Sequence, residues 1–165
     1  MKELYIAGGC FWGVQKYYSL LKGVIKTECG YANGNYENPT YNDLLTGKAS
    51  HTEVVHVVYE PTMLSLEDIL DHFLRFVDPY SLNRQGNDIG LQYRSGLYYT
   101  DNKDRSLIKA YIREFEQRSG RKTVIEVDAI ENYFKAEDKH QHYLDKNPLG
   151  YCHVDLSLIK EEEKK

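Results

Sequence analysis

A chain of 165 residues, 41% hydrophobic and 28% charged, is the size and composition of one globular domain with a single core. A net charge of −4 and a pI near 5.9 provide no basic field for nucleic acid; no apolar run approaches the roughly 20 residues of a membrane span; and Met1-Lys2-Glu3 leads into a strand rather than a signal segment. Three widely spaced cysteines make no disulfide framework, and without a Cys-x-x-Cys or His-x-x-x-His pair no metal site is expected, so a cytoplasmic protein using thiol chemistry fits best.

In chain order, alternation and turn signals predict a strand over about 4–8 and a helix over about 11–21 closed by Gly23, then a strand from Val24 to Tyr31. Residues 32–50, rich in Asn, Gly, Pro and Thr, read as a loop longer than compact domains usually carry without function. His51 to Tyr59 is the clearest strand, apolar on both faces and therefore interior. Ser65-Leu66-Glu67-Asp68 reads as a capping box opening a helix that Asp78-Pro79 ends. A polar loop over 83–92 leads to a strand over 93–100; Asp101 caps a helix running to Ser119 and stopped by Gly120; Thr123 to Ile130 is a further strand; and a last helix covers about 135–145. Strands alternating with helices around one core predict an α/β (α+β) domain over 1–158, with residues 159–165 as a charged, solvated tail.

Cys10 stands in Gly8-Gly9-Cys10-Phe11-Trp12-Gly13, where the first strand gives way to the first helix. A thiol at a helix start lies beside unpaired backbone N–H groups, which favour the thiolate, and Phe11 and Trp12 offer it an apolar wall for a small uncharged group. The bland alternative is a buried structural cysteine. Glu53, one residue inside the strongest strand, is costly to bury as an anion; buried, it stays protonated near neutrality and qualifies as a general acid, while at a strand edge facing solvent it does nothing special. Tyr41, Tyr93 and Asp88 can supply hydrogen bonds to a substrate, though each taken alone reads equally as a turn or packing residue. His51, His140 and His153 would be the bases of a Cys-His hydrolase, but none has a papain-like or caspase-like context.

The runs Gly8-Gly9-Cys10-Phe11-Trp12-Gly13, Gly30-Tyr31-Ala32-Asn33-Gly34, Asn38-Pro39-Thr40-Tyr41, His51-Thr52-Glu53-Val54-Val55, Gln85-Gly86-Asn87-Asp88 and Gln92-Tyr93-Arg94-Ser95, and more loosely Glu137-Asp138-Lys139-His140-Gln141 and Gly150-Tyr151-Cys152, resemble peptide methionine sulfoxide reductase of the A type over essentially the whole domain. The resemblance implies a two-layer sandwich with a ferredoxin-like core, its mixed sheet flanked by helices. It implies reduction of methionine S-sulfoxide, free or in oxidised proteins, without a cofactor. Carried over by position, Cys10 is the nucleophile and Glu53 the acid, with Tyr41 and Tyr93 helping to hold the sulfoxide oxygen, Phe11 and Trp12 holding the S-methyl group, and Asp88 bonding the substrate backbone. A sulfenic acid on Cys10 then condenses with a second thiol, Cys152 in a flexible chain end, and thioredoxin or a similar dithiol reduces the disulfide. A monomer is expected.

Two features depart from the family's pattern. No further cysteine follows Cys152, which predicts a two-cysteine cycle, and Cys29 stands where a small or apolar residue is usual, either as a packed thiol or as an alternative resolving thiol. Readings of other classes are a thiol hydrolase, forming an acyl-enzyme at Cys10, and a redox-sensing module that oxidises without turnover.

Overall fold

In the computed structural model, which describes residues 1–165, alternation along the strands sorts side chains cleanly between two faces. In β1 (Lys2–Ala7), Leu4 and Ile6 enter the main core, with Ala7 on the other face; in β3 (Thr52–Tyr59), Val55, Val57 and Tyr59 share that core face, while Val54 joins the small cluster opposite. Helix α1 (Phe11–Ser19) covers the main core with Phe11, Val14, Tyr17 and Tyr18, and α3 (Leu66–Phe76) adds Ile69, Leu70 and Phe73. Ser65 caps α3 in a capping box with Asp68, as its sequence predicts.

The sheet orders its strands β7-β6-β1-β3-β2-β8, with β2 at Val24–Ala32, β6 at Gly96–Tyr99, β7 at Glu126–Ala129 and β8 at Tyr133–Lys135. The inner strands β6-β1-β3-β2 pair antiparallel and are joined in the order β1-α1-β2-β3-α3-β6, the split βαβ arrangement of a ferredoxin-like core. Helix α4 (Asn102–Ser119), capped by Asp101 and stopped by Gly120 at φ 73, carries the chain from β6 to the parallel strand β7, which makes the sheet mixed. The fold is thus the two-layer α/β sandwich expected.

Several local expectations change. The long loop holds a short helix, α2 (Tyr41–Leu45), whose N-terminus Thr40 and Asp43 close as a second capping box. Residues expected as a polar loop form the hairpin β4 (Arg84–Gln85) and β5 (Asp88–Ile89), and the strand expected from Tyr93 begins at Gly96, Tyr93 instead closing a 3₁₀ turn. In place of a last helix over 135–145 come β8, a 3₁₀ turn at Asp138–His140 and the short α5 (Tyr143–Lys146), because Tyr133–Lys135 complete the sheet beside β2.

The chain end, read from its charges as solvated, is docked. Ile159 is buried, Glu163 receives two hydrogen bonds from the Arg75 guanidinium, both 2.8 Å, and Lys164 bridges to Leu21. A bidentate ion pair supplies the anchor that composition does not reveal.

Candidate active site

Cys10 is the N-cap of α1, 6% exposed, at the point where β1 ends and the chain turns through Gly8 and Gly9, the latter at φ 91. Directly below it lies Glu53, whose place in the alternation of β3, with Val55 and Val57, turns it toward the helix layer. The Phe11 N–H, first of the unpaired amides of α1, donates to Glu53 Oε1 at 3.1 Å. The other carboxyl oxygen, Oε2, is buried and has no partner, in a side chain only 1% exposed.

Burial pushes the Glu53 carboxyl up to about 8, with the Phe11 amide opposing and Asp88 reinforcing the shift. It is therefore a protonated acid at neutral pH, with an O–H on an oxygen that nothing in the protein engages. The same environment overturns the expected state of Cys10. Burial first, then the Glu53 charge, hold its thiol well above the ordinary range, and the opposing Trp12 amide is too weak to restore a thiolate. The resting pair is a neutral thiol over a neutral carboxyl.

Tyr41 and Tyr93 approach Glu53 and Cys10 from different elements, Tyr41 as the first residue of α2 and Tyr93 as the last of the 3₁₀ turn before β6. Burial raises both phenols, Tyr41 to about 12, and for each the charge that acts next is that of Glu53, with smaller contributions from Cys10 and Asp88. Both therefore remain O–H donors around one point. Asp88, on β5, accepts a hydrogen bond from the Tyr151 hydroxyl at 3.0 Å, which ties the hairpin to the segment carrying Cys152. Phe11 is buried, its ring 5.7 Å from that of Tyr31 and 6.4 Å from that of Tyr41; Trp12 is half-buried, stacked on Tyr143 at 3.8 Å. The sequence-predicted group thus assembles from β1, α1, α2, β3, β5 and the turn before β6.

The remaining thiols separate. Cys152 is partly exposed beside a cleft lined by Lys16, Asp145, Pro148 and Leu156, and its Sγ packs where a Cβ on Gly13 would lie 3.0 Å away. Cys29 is fully buried behind α1, its Sγ 3.2 Å from Gln15 Oε1 and its backbone N–H and C=O both bonded to the Gln141 side chain at 2.8 Å.

A family model described as peptide methionine sulfoxide reductase matches residues 2–165. The chain belongs to that family. It is 49% identical over 160 residues to peptide methionine sulfoxide reductase MsrA of Ureaplasma urealyticum, with 97% of each chain covered. Among solved structures, it is similar to reduced Mxr1 from Saccharomyces cerevisiae, with a TM-score of 0.86, 34% identity and 93% and 91% of the two chains covered. It is also similar to Mxr1 in complex with Trx2, with a TM-score of 0.61, 25% identity and coverage of 86% and 84%.

Within this methionine sulfoxide reductase fold, two residues outside the predicted set support the site. Glu137 accepts from the Tyr41 N–H at 3.1 Å and the Tyr31 hydroxyl at 2.7 Å, which positions the start of α2. His140, 4% exposed, accepts the Trp12 indole N–H on Nδ1 at 3.1 Å and lies 4.4 Å from the Tyr41 ring. Burial keeps it neutral, so it orients the aromatic wall rather than acting as a hydrolase base. His51 is fully buried against Tyr36 and Phe134, away from any thiol contact, and His153 donates from Nε2 to the Gly8 carbonyl at 2.7 Å. The run Glu137 to Gln141 signalled the first two, but which side chain each would meet depends on a contact about 100 residues distant, beyond any local pattern.

Proposed function

We propose that the chain reduces methionine S-sulfoxide, free or in oxidised proteins, through a Cys10 sulfenic acid and a Cys10–Cys152 disulfide that a thioredoxin-type dithiol recycles. The observation that carries this reading is the divided role of Glu53: one oxygen held by the amide that follows Cys10, the other buried and without a partner.

A sulfoxide oxygen is strongly basic for a neutral group, and its sulfur is a weak electrophile until that oxygen is protonated. Placed in the pocket, the oxygen accepts from Glu53 Oε2 and from the phenols of Tyr41 and Tyr93, while the S-methyl group lies against Phe11 and Trp12. Asp88 bonds the substrate backbone. Glu53 gives its proton to the oxygen as Cys10 sulfur bonds to the sulfoxide sulfur, and the thiol proton passes to the Glu53 carboxylate. Oxygen then moves to Cys10, giving methionine and Cys10–SOH, so that the protons balance and the acid is restored. A neutral thiol at rest suits this sequence, because the cationic character that develops on the activated sulfur is what draws out the thiolate. Cys152 then attacks the sulfenic sulfur, releasing water. Its position beside an open cleft leaves the disulfide accessible to an external dithiol, in keeping with the Mxr1–Trx2 complex. No helix is long and apolar enough to cross a membrane, and a cycle through free thiols suits a reducing compartment such as the cytoplasm.

The test is incubation with dithiothreitol and each epimer of a methionine sulfoxide derivative, counting methionine formed. Turnover of the S epimer alone, lost in Cys10→Ser, is expected, and Cys152→Ser should release one equivalent of methionine but fail with thioredoxin. Comparable turnover of the R epimer, or acyl-enzyme formation with esters and no methionine, would refute the assignment.

A further inference from the structure

Gly9 and Gly13, on either side of Cys10, face the segment that carries Cys152. At Gly9, φ is 91 and a Cβ would lie 2.7 Å from Gln85 Cβ and 2.8 Å from His153 Nε2. At Gly13, one turn into α1, a Cβ would lie 3.0 Å from Cys152 Sγ and 3.1 Å from Val154 Cγ2. Residues 152–154 therefore lie in a groove that exists because positions 9 and 13 carry no side chain. Across that groove runs one strong polar contact, His153 Nε2 to the Gly8 carbonyl at 2.7 Å, in a half-buried side chain whose Nδ1 is buried and unpartnered. Because a carbonyl only accepts, Nε2 carries the proton. The residue next to Cys152 is thereby bonded to the residue two before Cys10.

We propose that His153 is a positioning residue for the resolving step: its hydrogen bond to Gly8, with the groove at Gly9 and Gly13, latches the 152–154 segment against the start of α1, so that Cys152 meets the Cys10 sulfenic acid at high effective concentration. The proposal rests on the reading of Cys152 as the resolving thiol. The step itself needs no outside oxidant: Cys152–SH and Cys10–SOH give the S–S bond and water, the sulfenic sulfur being reduced and the Cys152 sulfur oxidised. The chain is held before the segment by the Gly150 N–H to Asn147 carbonyl bond and at the segment's end by buried Val154, so the latch confines a short, tethered stretch rather than a free chain end.

Single-turnover reaction with S-sulfoxide in the absence of reductant separates the two steps: methionine release, with the first equivalent of free thiol, reports sulfenic acid formation, and loss of the second equivalent on quenching reports the disulfide. His153→Ala should release methionine at the wild-type rate and form the disulfide about tenfold more slowly, whereas His153→Gln, which keeps a donor for the Gly8 carbonyl, should recover to within about threefold of wild type. Gly13→Ala should show the same selective slowing of the second step. A His153→Ala disulfide rate equal to wild type would overturn the proposal, as would equal loss of both steps in the Ala and Gln variants, which would assign His153 to folding alone. Failure of the underlying reading looks different: Cys152→Ser would still form a disulfide and recycle with thioredoxin.

Discussion

Glu53→Gln keeps the shape of the side chain and the bond from the Phe11 amide but removes the transferable proton. The carboxyl ordinarily ionises at 4.5 and is pushed to about 8 by burial in the folded chain. Below pH 4.5 both folded and unfolded chains hold the proton and Glu53 adds no pH dependence. Between 4.5 and 8 only the folded chain holds it, so wild-type stability falls as pH rises, by about 5 kcal/mol over the whole window and about 3 kcal/mol by pH 7. Glutamine has nothing to ionise. The variant should therefore be close to wild type in stability at pH 4–5 and progressively more stable above it in urea titrations. Its rate of Cys10 oxidation should meanwhile drop about 10²- to 10⁴-fold, roughly 3 to 5 kcal/mol of barrier, with methionine sulfoxide binding little changed. In wild type the single-turnover rate should decline above pH 8 as the acid is lost, and that limb should vanish in the variant. Parallel stability curves for the two proteins, or a Glu53→Gln rate within about threefold of wild type, would refute the assignment of Glu53 as a buried, protonated acid.

Tyr41→Phe and Tyr93→Phe should each slow the first step less than Glu53→Gln, because the other phenol and Glu53 still hold the oxygen; the double variant, measured by the same single-turnover assay, should lose more than the sum of the two in free energy. Cys29→Ala should leave methionine release and thioredoxin-supported recycling intact while costing about 1 to 2 kcal/mol in denaturant unfolding, since its Sγ is fully buried against Gln15. Glu163→Ala should release the chain end from Arg75 at a cost of about 1 kcal/mol at neutral pH. The Arg75 guanidinium holds the Glu163 carboxyl down at about 2 from an ordinary 4.5, so that contribution is present above pH 4.5 and disappears as pH falls toward 2, where variant and wild type should unfold alike.

Much of this protein is legible along the chain because the signals are short-range. The alternation of β1 and β3, the capping box at Ser65, and Asp101 with Gly120 around α4 are each decided within a few residues, and local chemistry is enough to state them. The same holds for Cys10 at a strand-to-helix turn and for Glu53 as a carboxyl inside an apolar strand. Where contacts come from afar, the local reading fails. Tyr133–Lys135 pair with β2 instead of winding into a helix, and the charged chain end docks because Arg75 waits on α3. The protonation of Cys10 is the sharpest case. A helix start by itself favours a thiolate, and only the fold, by sealing Cys10 from water, reverses that preference. The sequence by itself determined which groups are present and which local element carries each. The tertiary structure decided their electrostatics and their partners, because desolvation and contacts across 40 to 150 residues exist only once the layers have closed.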